Sequence, residues 1–186
     1  MDCTGFKIYT EPTVEPVTVS EMKSYLGLDV SSSDDDDKLG GMISSARVHL
    51  ERVTGRIFCT SIYDVQFKSF SETELKLPFT PVQSVSSITY KLSGVSVTLD
   101  TDQYQLADYK LFPHIEPAYG VSWPSCDENS VIARIAAGKT SAYDKIGVAL
   151  IKAVAADLFE HRESHNEISL TENKAINRLY NSFITR

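Results

Sequence analysis

The run from Asp144 to Glu163, DKIGVALIKAVAADLFEHRE, constrains the fold more than any other stretch of the chain. At ~100° per residue, Ile146, Val148, Leu150, Ile151, Ala153, Val154, Ala155, Leu158 and Phe159 cover roughly two-thirds of a helix circumference. A surface helix needs a narrower apolar stripe, so this one is expected at the centre of its domain. Lys145, Lys152, Glu160 and Glu163 share the remaining strip with Ala149 and Ala156, two small residues that let a neighbouring element approach. Ala149, Lys152 and Ala156 are therefore candidate subunit contacts. The apolar run is interrupted by Lys152 and Asp157 and is too short for the ~18 residues of a membrane span.

Around this helix the chain punctuates itself clearly. Thr18 and Glu21 form a T-x-x-E capping box, and Val17 and Met22 stand at hydrophobic-staple positions, which predicts a short helix ending near Gly27. A second helix is predicted over about 35–54, with Leu39, Met42, Ile43, Ala46, Leu50 and Val53 on one stripe and Gly55 as its stop. Arg47, Glu51 and Arg52 lie off that stripe and are read as solvent or subunit-contact residues. His49 is read as packed at the stripe's edge. Between Ile57 and Ala137 the period changes to two: Tyr63/Val65/Phe67, Ile88/Tyr90/Leu92 and Val95/Val97/Leu99 alternate, with Ser93-Gly94 as a tight turn. Pro78, Pro81, Pro113, Pro117 and Pro124 cut this region into short pieces, and Val131 to Ala136 reads as a last strand returning to the core. After the central helix, Ser169 and Glu172 repeat the capping box ahead of Ile176, Leu179, Tyr180 and Phe183.

These elements predict an α+β fold in which a small α-helical bundle carries an inserted antiparallel β region between its second and central helices. The expected division is 1–56 and 138–186 for the helical core and 57–137 for the β region. A chain of 186 residues with 42% hydrophobic and 23% charged content can bury such a core without staples.

Chemistry is harder to find. Cys3, Cys59 and Cys126 are odd in number and show no C-x-x-C spacing, so they read as free thiols or small apolar fillers. The Asp34-Asp35-Asp36-Asp37 tract lacks the alternating ligands, central Gly and distal Glu of a calcium loop, and reads as the acidic first turn of a helix. Gly138-Lys139-Thr140 reproduces only the tail of a phosphate loop, with Ala133 where the first Gly belongs. His161, Glu163 and His165 stand as H-R-E-S-H, which is neither zincin pattern; a metal-dependent hydrolase built on them is the enzymatic alternative. Trp123, in Gly-Val-Ser-Trp-Pro, is read as a packed loop anchor. Basic residues are scattered, and a net charge of -7 argues against a grip on nucleic acid through phosphate neutralisation. No cofactor or metal is expected.

Several strings, in their order and spacing, resemble the head-to-tail connector proteins of tailed phages and prophages, also called adaptor or head completion proteins. They are EPVTVSEMK from Glu15, ISSARVHLERVTGR from Ile43, LPFTPVQSVSSITY from Leu77, Leu99-Asp, Tyr104-Gln-Leu, GVSWP from Gly120, and AADLFEHRE from Ala155. The likeness runs from about Pro12 to Glu163. It implies a non-catalytic virion protein at the head-tail interface: a ring, usually of twelve copies, below the portal protein, meeting a stopper or tail-completion protein and extending a channel through which DNA passes without sequence-specific binding. In that setting Asp34 to Asp37 are candidates for an acidic channel lining, and Tyr180, Phe183 and Arg186 for portal or tail docking. The remaining alternative is a monomeric binding module that presents the β region to a partner.

Overall fold

The computed structural model describes residues 3–70, 73–108, 113–138 and 145–160. The chain divides into two compact units, one of Met1–Thr13 with Cys59–Thr140 and one of Val14–Phe58 with Ser141–Arg186.

In the first unit a five-stranded antiparallel sheet has the order β1-β2-β8-β4-β5, built from β1 (Cys3–Thr10), β2 (Ser61–Phe67), β4 (Val82–Leu92), β5 (Val95–Leu99) and β8 (Val131–Ala137). The β4–β5 connection is the expected Ser93-Gly94 turn, with φ of 52° and 81°, the doubly left-handed geometry that matches strand twist in a two-residue hairpin. The last strand, β8, lies in the middle. It pairs with β2 in unbroken register from Ser61↔Ala137 to Phe67↔Val131, and with β4 on its other side. Alternation along these strands sorts the two faces. Tyr63, Val65, Phe67, Ile88, Leu99, Val131, Ala133 and Ile135 are buried, and each fully buried Val, Ile or Phe stabilises by about 1.5–3 kcal/mol. The intervening residues, among them Gln66, Thr89 and Arg134, lie on the opposite, more solvated face. A second sheet, β3-β7-β6, joins β3 (Leu75–Lys76), β7 (His114–Pro117) and β6 (Tyr104–Ala107), and buries Leu75, Ile115, His114, Tyr104 and Ala107.

The second unit holds α1 (Val19–Leu26), α2 (Asp36–Thr54) and α3 (Lys145–Glu160). Thr18 caps α1 as its sequence demands: its hydroxyl accepts from the Glu21 N–H and the Glu21 carboxylate accepts from the Thr18 N–H. The staple residues Val17 and Met22 are both buried. Gly27 and Gly55 close α1 and α2 in the left-handed conformation. Leu39, Ile43, Ala46 and Leu50 form the buried stripe of α2, which packs on α3, and α1 touches both. Gly147 of α3 is pressed against the Phe58 ring, where a Cβ would overlap it.

The fold-class expectation needs correction. Among the described residues eight strands in two antiparallel sheets dominate, and the three helices are the smaller part. The β region is not an insertion into a helical bundle, because β1 precedes the first helix and contributes an edge of the large sheet. The error has a physical origin. Helices announce themselves with caps and long 3.6-residue periods, whereas strands of two to four residues such as β3, β6 and β7 repeat too few times to show a period at all.

Candidate interaction surfaces

Each unit carries its candidate surfaces on different elements. In the acidic tract, the four carboxylates are not equivalent. Asp36 pairs with the ammonium of Lys23, which is only 4% exposed and also donates to the Ser32 carbonyl. Asp35 pairs with Lys38 at 3.2 Å. Asp34 and Asp37 are exposed. One charge of the tract therefore ties the start of α2 back to α1, a second pairs locally in the first turn of α2, and two face solvent. Nearby, Asp29 accepts from the Ser31 hydroxyl at 2.7 Å and its N–H at 2.9 Å, and these bonds hold its carboxyl below the ordinary range.

Arg47 and Glu51, expected in solvent or at a subunit contact, are 4% and 9% exposed and engaged within the chain. The Arg47 guanidinium forks onto Glu15 at 2.7 and 3.1 Å and donates to Glu51 at 2.8 Å. The other Glu51 oxygen accepts the Phe58 N–H at 2.9 Å. Burial raises the Glu51 carboxyl above its usual value despite the counteracting Phe58 N–H and Arg47 charge. The ion pair thus ties the segment before α1, helix α2 and the segment after it into one knot. The i,i+4 spacing of Arg47 and Glu51 was the available signal, since such pairs meet on one helix face. His49, expected to be packed, is exposed.

On α3 the buried residues are Gly147, Leu150, Ile151 and Ala155. Ala149 is exposed, and Lys152 and Ala156 are half-buried, so the small-residue strip lies along the border of the helix's buried face. Lys152 also reaches the field of Glu21, whose carboxyl is lowered chiefly by the Thr18 N–H. Ile146 and Leu158 are each 41% exposed, a visible remnant of the excess apolar arc. Tyr180, Phe183 and Arg186, like His161, Glu163 and His165, lie outside the described residues.

In the first unit, the solvated face of the large sheet carries a charged cluster that sequence reading missed. Arg134 of β8 makes a fork to Asp64 of β2 at 2.7 and 3.0 Å and stacks over the Tyr9 ring at 3.4 Å. Lys7 stands 4.0 Å from the same carboxylate. The Arg134 hydrogen bonds hold the Asp64 carboxyl below its ordinary value. On the other face Phe6 meets Tyr63 and Phe79 edge-on, at 6.2 and 5.4 Å between ring centroids. Trp123 is a packed loop anchor, stacked on Phe70 at 4.9 Å, and Phe70 in turn meets Tyr90. Tyr119, in the same loop, is fully exposed. His114 is buried with its Nε2 3.3 Å from Glu74 and 3.4 Å from Glu116.

Among the described residues no group of three His, Cys, Asp or Glu side chains could hold a metal ion. What the surfaces offer is contact area: exposed apolar side chains on sheet edge and helix, beside charges mostly engaged within the chain.

No family model matches the sequence, and no curated protein does. The fold, in contrast, has solved counterparts. A chain from the neck of the empty gene transfer agent (GTA) particle with C6 symmetry superposes with a TM-score of 0.81 at 18% identity, covering 98% of this chain and 96% of that one. A chain from the neck of the native GTA particle with C12 symmetry gives 0.78 at 17% identity, covering 98% and 96%. A chain from the virion of the native gene transfer agent particle gives 0.77 at 18%, covering 97% and 95%. At such identities the likeness is one of fold.

Proposed function

We propose that this protein is a structural, non-catalytic component of the neck of a phage-like particle: an adaptor that assembles as a ring, of twelve copies, below the portal protein and extends the DNA channel towards a stopper or tail-completion protein. The observation that carries the reading is the end-to-end fold likeness to GTA neck chains, which leaves neither chain with a substantial unmatched domain. The order of the strings that resemble phage connectors points the same way.

The charge balance suits a conduit. A net charge of -7 opposes the many-phosphate grip that would slow DNA passage. Within the acidic tract, Asp34 and Asp37 are the side chains free to contribute that field, while Asp35 and Asp36 are paired to lysines. Tyr180, Phe183 and Arg186 are assigned to portal or tail docking, and Ala149, Lys152 and Ala156 to the contact with a neighbouring copy. No cofactor enters this role.

The test is a mass measurement of the full chain alone and mixed with portal rings from the same particle. The expected result is a complex of one portal ring with twelve copies of this chain. A chain that stays monomeric and ignores the portal overturns the proposal. Monomer in isolation does not, because a ring can require the portal as a template.

A further inference from the structure

Among the described residues the large sheet has two open edges, and their chemistry is unusual for a protein that works as a monomer. Strand β1 spans eight residues at one edge, with no partner strand on its outer side among the described residues. Phe6, Ile8 and Tyr9 are 56%, 44% and 55% exposed along it. The devices that normally blunt an edge are weak here. The strand has no proline, and its single charged side chain, Lys7, turns onto the sheet face towards Asp64. Register irregularities fall between Cys3 and Gly5 and between Ile8 and Thr10, which leaves Gly5 to Ile8 as a regular window. At the far edge, β5 presents Val95 at 65% exposure, and Leu92 at the end of β4 is 46% exposed.

The strand directions link the two edges. All neighbours in the sheet are antiparallel, so β1, β8 and β5 run the same way. Two copies laid side by side in the same orientation would bring β5 of one against β1 of the next as a parallel pair, matching five residues to the four-residue window. One head-to-tail contact of this kind satisfies both edges of every copy when it closes into a ring. A two-fold β1–β1 contact would leave both β5 edges open.

From this we infer that β1 and β5 are the complementary halves of a subunit contact, through which a second copy of this chain continues the sheet by strand addition. The inference rests on the ring assembly proposed above and adds the surface that forms it. Every second residue of each strand directs its N–H and C=O outward, so pairing supplies backbone hydrogen bonds, and Phe6, Ile8 and Val95 supply apolar contact.

Amide hydrogen exchange, measured on the full chain as free protomer and as the portal-loaded ring, tests the contact. Amides within Gly5–Ile8 and Val95–Leu99 are expected to slow at least tenfold on ring formation. In parallel, Ile8→Lys and Val95→Lys should each lower the yield of complete rings at least tenfold, with thermal unfolding of the protomer unchanged. Should Ile8→Lys misfold, Val95→Lys on the hairpin and the exchange measurement on the unaltered chain still decide. A ring whose β1 and β5 amides exchange as in the protomer, normal rings from both variants, or a dimer protecting β1 alone each overturns the contact while leaving the neck reading intact. A wild-type chain that forms no ring with the portal overturns both.

Discussion

Replacing Arg47 by methionine tests the energetics of the second unit most directly. The side chain is 4% exposed and holds two carboxylates, so its removal strands both. Glu15 is about one-third exposed and water can take over part of its solvation, which discounts its share. Glu51 is 9% exposed and cannot be resolvated without opening the α2 contact. Methionine preserves most of the apolar stem packing, leaving the uncompensated charge as the main loss. Breaking a buried pair from one side costs about 3–5 kcal/mol, which for a chain of this size lowers Tm by roughly 6–20 °C. The pH dependence carries the diagnosis. Because burial already raises the Glu51 carboxyl, protonation favours the folded state, and that contribution is present at low pH and lost as pH rises through the folded value. In the variant nothing remains to oppose the burial except the Phe58 N–H, so its deficit relative to wild type should shrink as pH falls from about 8 towards the ordinary glutamate range near 4.5. Urea titrations at several pH values measure both effects. A deficit below about 1 kcal/mol at neutral pH, or one independent of pH, would refute the reasoning.

Other expectations follow from single contacts. Thr18→Ala removes the hydroxyl that accepts from the Glu21 N–H, while the backbone half of the capping box can persist, and should cost about 1 kcal/mol of stability, read from denaturant midpoints; Thr18→Ser should cost far less. Gly138→Ala should destabilise by at least about 2 kcal/mol, because Gly138 sits at φ 106° and an added Cβ would run into the Cys59 carbonyl; thermal melts would show it, and a wild-type melt would contradict the geometry. Asp64 has a depressed carboxyl pKa, so its contribution is present above the unfolded value and lost as pH falls through the folded one. Wild type should therefore lose stability more steeply than Asp64→Asn below about pH 4, and parallel acid-denaturation curves would exclude the Arg134 pairing as the cause.

The parts of this molecule that were readable from sequence are those where one physical signal acts alone. Thr18, Glu21, Val17, Met22, Gly27 and Gly55 set helix ends through local hydrogen bonds and backbone freedom, and each performs its expected part. Ser93-Gly94 did the same for the hairpin. Strand β1 was missed although Phe6 and Ile8 alternate, because one apolar pair beside Gly5 looks no different from a loop until β2 is laid against it. The charged residues escaped for a related reason, Arg47 and Glu51 through a solvent or subunit-contact reading and Asp64 and Arg134 through none at all. Arg47, Glu51, Asp64 and Arg134 carry charges that alone would remain in water, and only their partners, up to 70 residues away in the chain, make burial or stacking tolerable. The candidate surfaces were legible only as a deficit: the apolar arc of α3 was too wide for a surface helix, and Ile146 and Leu158 remain partly uncovered.

The central place of β8 has a consequence for how the protein comes into being. Until Val131–Ala137 leaves the ribosome, β2 and β4 have no common neighbour, and of the large sheet the emerging chain can form only two separate ribbons, β1-β2 and β4-β5. Two-stranded ribbons are marginal in water, so the core of the first unit is assembled late, by insertion of one seven-residue strand into a waiting slot. A ribosome stalled before that point would hold a chain with four raw strand edges instead of two, and a short peptide copying VIARIAA would compete for the same slot.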